Sequence, residues 1–249
     1  MGFFTMKSHS AVLVWAMTAL ALSCDAAAGD FIFGEDFEGV PACTGGTGFS
    51  IGATPPARTG SLGTQHRYLV KLHACNVSGT ATLGQSGAPD SWTRTLDPGS
   101  LTLADGAVGV ALLTVTVPTN ADAGAGTFNL SATHNADLSS TDVTLDIANE
   151  WILHFAPDGT GSLGSAHNFP GSLIIKVGAK IRLISDDTTD THLIHADGGA
   201  GLIHQNVAGP GLSAGQEYDL TPTAPNTPLA GHLYCHYHGG PVTVVTVVP

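Results

Sequence analysis

The apolar positions of this chain recur every second residue. Residues 68–74 (Tyr-Leu-Val-Lys-Leu-His-Ala) alternate apolar and polar side chains over a strand's length. Residues 108–117, 127–133 and 143–147 carry the same signal. Turn residues separate them at 97–99 (Asp-Pro-Gly), 104–106 (Ala-Asp-Gly) and 120–124. This spacing predicts a first β-sandwich over residues 49–148. From Glu150 the pattern restarts, with strands predicted at 151–155, 173–177, 180–185, 217–220, 232–235 and 242–248, a second sandwich over 149–249. Residues 40–63 are rich in Gly, Thr, Ser and Pro and read as linker or loop-rich structure. The expected fold is all-β: two β-sandwich domains, preceded by a linker at 29–48.

The N-terminus breaks the pattern. Lys7, an apolar run over 11–22 and Ala26-Ala27-Ala28 have the form of an export signal ending at residue 28. Ser23-Cys24 offers an alternative, lipid attachment at Cys24. Either way the expected location is secreted or periplasmic, with no membrane span. Lys and Arg total 8 against 20 Asp and Glu, a formal charge of −12, so nucleic acid is an unsuitable partner.

Export gives the four cysteines meaning. Cleavage at residue 28 removes Cys24, and Cys43 and Cys75 are then available to pair as a disulfide. Cys235 is left over. Eight of the 12 histidines lie in the last hundred residues: His154, His167, His192, His195, His204, His232, His236 and His238. A thiolate with two imidazoles selects copper and suits one-electron transfer. Cys235 and His238 stand three apart, a spacing that suits one tight loop between strands. Zinc also accepts Cys and His and is the nearest competing metal.

Residues 168–170 (Asn-Phe-Pro), 174–181 (Ile-Ile-Lys-Val-Gly-Ala-Lys-Ile), 185–192 (Ser-Asp-Asp-Thr-Thr-Asp-Thr-His) and 233–238 (Leu-Tyr-Cys-His-Tyr-His) follow one another as in a cupredoxin. The second half resembles that family, of the plastocyanin type. The resemblance implies a Greek-key sandwich with His192, Cys235 and His238 as copper ligands. His195, His236 and His204 are additional candidates. On an extended strand His192 and His195 point to opposite faces, which favours one of them as ligand. The family's axial Met has no counterpart, because Met1, Met6 and Met17 are the only methionines. The first half resembles NEW3-type immunoglobulin-like modules through Trp92, residues 96–100 (Leu-Asp-Pro-Gly-Ser), 114–118 (Thr-Val-Thr-Val-Pro) and 126–130 (Gly-Thr-Phe-Asn-Leu). That implies a spacer or docking module.

The expected function is an exported copper-binding protein with a type 1-like site, working as an electron carrier with a redox partner protein. The alternative is copper sequestration or delivery through a His-rich site. An enzyme is the lesser expectation. Multicopper oxidases need several His-x-His pairs, and only His236 with His238 occurs.

Overall fold

Val, Thr, Leu and Ile dominate the alternating segments, and β-branched residues fit a pleated, half-buried surface. The computed structural model describes residues 40–43, 46–155, 170–197, 202, 210–226, 231–237 and 243–249. Among them are fifteen strands and no helix. They are β1 (Gly48–Thr54), β2 (Ala57–Leu62), β3 (Gln65–Cys75), β4 (Gly79–Ser86), β5 (Thr93–Asp97), β6 (Ser100–Leu103), β7 (Val108–Thr116) and β8 (Gly124–His134). Then come β9 (Asp137–Phe155), β10 (Ser172–Lys176), β11 (Lys180–Ser185), β12 (Ile194–Asp197), β13 (Glu217–Leu220), β14 (Gly231–Cys235) and β15 (Thr243–Val248). The all-β expectation holds.

Three sheets result. One has the order β1-β3-β7-β5, and a second has β10-β15-β14-β12. The third runs β13-β11-β9-β8-β4-β6, with β2 also pairing β9. The interior of the first half is built from alternate residues of facing strands, Tyr68 and Val70 from β3, Leu113 from β7, Phe128 from β8 and Leu145 from β9, all fully buried. The Tyr68 hydroxyl donates to the Thr144 carbonyl at 3.1 Å, so the buried phenol keeps a partner. In the second half Ile175, Ile181, Ile194, Leu233 and Val245 play the same part.

Two expectations need correcting. Residues 40–63 are not loop-rich throughout, since β1 and β2 occupy most of them. Residues 151–155 do not start a new strand. They continue β9, whose first part pairs antiparallel with β8 and whose last part, Glu150 to Phe155, pairs parallel with β11. Position 148/149 therefore falls inside one strand. Asn149 donates to the Gly178 carbonyl at 3.1 Å, so the polar residues there join the second half instead of forming a turn.

Candidate metal centre

The second-half sheet positions the candidate residues through its register. β12 and β14 run antiparallel with Ile194 opposite Cys235 and His195 opposite Tyr234. The His236 amide extends the pairing, donating to the Leu193 carbonyl at 2.7 Å. Period-two alternation then divides the side chains. Gly231, Leu233 and Cys235 are buried, while His232 and Tyr234 are half-buried. Ile194 and Ala196 are buried, and His195 and Asp197 are half-buried.

Cys235 thus faces the interior and lies outside the disulfide. His192 sits two residues before Ile194, the partner of Cys235, and is also fully buried. A two-way backbone bridge to Leu212 holds it: His192 donates at 3.0 Å and Leu212 returns a bond of 2.7 Å. Gly211 permits this approach. Its φ is +77°, and a Cβ there would lie 3.1 Å from the His192 carbonyl oxygen.

The sequence reading missed the residue that orients His192. Asp187, 2% exposed, accepts a hydrogen bond from His192 Nε2 at 2.8 Å. Its other oxygen accepts from Thr189 Oγ1 at 2.7 Å, the Thr189 amide at 2.8 Å and the Asp190 amide at 3.1 Å. Burial alone would raise the Asp187 pKa. The four donors outweigh it and hold the carboxyl well below the usual carboxylate range. An ionised Asp187 fixes the Nε2–H tautomer, so the lone pair of the neutral ring is on Nδ1. Three aspartates crowd this stretch of sequence, and only an Asp-x-Thr turn signal distinguishes Asp187 from its neighbours. Asp186 is exposed and meets His154 at 3.1 Å instead.

Two of the additional candidates, His195 and His236, lie on another face of the sheet. His195 packs against Tyr234 with ring centroids 4.5 Å apart and stacks on His236 at 6.0 Å. Register places these rings on the face opposite Cys235. His232 shares that face, its Nδ1 2.8 Å from Asp197 Oδ1. His238 and His204 lie outside the described residues, as do His167, residues 168 and 169 and the whole of 1–39.

The donor set is a buried thiol sulfur at the end of β14 and a buried, carboxylate-oriented imidazole two residues before β12. Soft sulfur with nitrogen suits copper, and also zinc. A histidine ligand whose second nitrogen is held by a carboxylate is the usual way of fixing an imidazole toward a metal.

The expected disulfide is present: Cys43 and Cys75 are bonded, with Cα atoms 5.6 Å apart. Among the described residues no helix is long and apolar enough to cross a membrane.

No family model matches the sequence, and no curated protein matches it. Among solved structures, the chain is similar to a novel purple cupredoxin from Nitrosopumilus maritimus at 25% identity, over 39% of this chain and 99% of that one, with a TM-score of 0.29. A FixG-related protein from Vibrio parahaemolyticus matches at 12% identity over 40% of this chain and 94% of that one, TM-score 0.32. A family 123 glycoside hydrolase from Clostridium perfringens matches at 14% over 46% and 31%, TM-score 0.32.

Proposed function

We propose that this chain is an exported copper-binding protein whose second half holds one type 1-like copper through His192, Cys235 and His238, and that it carries electrons. One observation supports this most. The β12–β14 register sets buried Cys235 against Ile194, two residues from a buried His192 whose Nε2 is committed to Asp187. A bound copper would supply one-electron exchange. The chain's own part is to exclude water from the thiol, hold one imidazole rigid and keep Asp187 ionised. No methionine follows residue 17, so this chain would offer a bound copper no thioether from its second half, and a reduction potential above that of Met-ligated blue sites is expected. A potential at or below theirs would count against this. On this reading residues 1–28 are the signal and the first sandwich is a spacer or docking module.

The test is copper loading of the full chain. One copper per chain is expected, with reversible one-electron cycling in voltammetry, both lost in Cys235→Ser. Equal copper affinity in that variant would contradict thiolate ligation. Preferred retention of zinc under competition would replace copper by zinc.

A second reading, copper sequestration, is favoured by the outer-face imidazoles of His195, His236 and His232. It predicts tight binding with little colour, which survives Cys235→Ser and weakens in His195→Ala/His236→Ala.

A further inference from the structure

We infer that Cys43, His73 and Cys75 form a second, redox-gated metal site: closed as a disulfide, and open to a soft d10 cation, Cu(I) or Zn(II), once a dithiol has reduced it. The site lies in the first half and is independent of the reading given for Cys235.

Its geometry comes from β3. His73 and Cys75 are two apart on that strand and therefore share a face. Cys43 lies over that face and closes a loop of sequence separation 32 onto Cys75. One donor atom from each of the three residues lies within 4.8 Å of the others. Donors around one ion at metal–sulfur distances of about 2.3 Å stand roughly 3.5–4 Å apart, so small adjustments suffice. The histidine is already oriented. His73 Nδ1 donates to the Pro41 carbonyl at 2.9 Å, which leaves the neutral ring's lone pair on Nε2; Cys43 Sγ lies against the ring edge, 3.4 Å from Nδ1 and 3.7 Å from Nε2, so a turn of the ring brings Nε2 to an ion between the sulfurs. A merely structural disulfide needs no imidazole fixed beside its sulfur.

Access is asymmetric. Cys43 is exposed and Cys75 is 6% exposed, so an incoming thiolate reaches Cys43 Sγ first. That attack forms a mixed disulfide and expels Cys75 as thiolate. The second thiol of the reductant then releases Cys43. Two electrons and two protons pass to the protein, and the dithiol leaves as its own disulfide. The cation displaces the two thiol protons and, with His73 Nε2, closes a Cys2His site that replaces the lost tether between residue 43 and β3.

The experiment uses the full chain with Cys24→Ser and Cys235→Ser, so that only these two thiols remain. Cd(II), a spectroscopic probe for soft d10 ions, is titrated before and after anaerobic dithiol reduction and removal of the reductant. The oxidised chain should show no thiolate-to-cadmium charge-transfer band. The reduced chain should bind one equivalent with a two-thiolate band, and its Tm should rise on binding. His73→Ala should keep the band and weaken affinity roughly 10-fold or more. Three results each overturn the site: no gain in binding on reduction, unchanged affinity in His73→Ala, or a reduced chain whose thermal unfolding Cd(II) does not alter.

Discussion

At the residue scale, Asp187 carries the tightest constraint in the second half. Its carboxylate serves four donors in a space almost closed to water. Asp187→Ala strands the His192 N–H and two backbone amides, and loss of a buried, hydrogen-bonded partner costs about 3 kcal/mol or more. We expect that loss in chemical denaturation of the metal-free chain. A change under about 1 kcal/mol would show that water replaces the carboxylate without penalty.

His66 gives a pH prediction at the same scale. Burial lowers its pKa below the ordinary 6.5, and the Arg58 charge pushes the same way. The folded state therefore favours the neutral ring. Its contribution is complete above pH 6.5 and is lost as pH falls through the lower folded value. Tm should decline on acidification from neutrality toward pH 5, less steeply in His66→Gln. Parallel slopes in the two proteins would remove His66 from the explanation.

At the element scale, alternation makes most strands legible in the sequence. β7, β8, β11 and β13 fall where the pattern put them, and Cys235 ends its strand as expected. The misses have physical reasons. β2 follows two prolines and holds few apolar residues, because it needs small ones. A Cβ at Gly60 would lie 2.3 Å from the His66 ring. β9 passes through Ala148-Asn149-Glu150, a turn-like trio that instead reaches across to Gly178 and, through Glu150, pairs with Lys180. Asp187 was hidden among equivalent aspartates, because burial and not residue type sets it apart. His238, half of the loop ligand pair in the sequence reading, lies outside the described residues.

The β12–β14 register also depends on a close backbone approach. A Cβ at Gly231 would lie 2.5 Å from the Asp197 carbonyl oxygen. Gly231→Ala should destabilise by about 1–3 kcal/mol and weaken metal binding at Cys235, since overpacking shifts backbone. Gly171→Ala, which meets open space, should change stability by less than about 0.5 kcal/mol. Equal effects of the two substitutions would contradict this account of the register.

At the scale of the whole molecule, β9 belongs to both halves, and buried side chains continue from one half into the other. Thr119 and Asp122, between β7 and β8, also bond to β10 through the Ile174 carbonyl and the Lys176 ammonium. Phe128→Ala in the first half and Ile181→Ala in the second should therefore lower one shared thermal transition, each by a cavity cost of about 2–5 kcal/mol. Two transitions, each responding to one substitution, would mean that β9 links the halves without coupling them.

The most direct test of the central claim is the optical and EPR spectrum of the chain titrated with Cu(II), beside Cys235→Ser. The account predicts an intense visible band and narrow copper hyperfine splitting, both absent from the variant. A pale solution with wide splitting, unchanged by Cys235→Ser, would contradict a thiolate-bound copper and move the metal to the histidines alone.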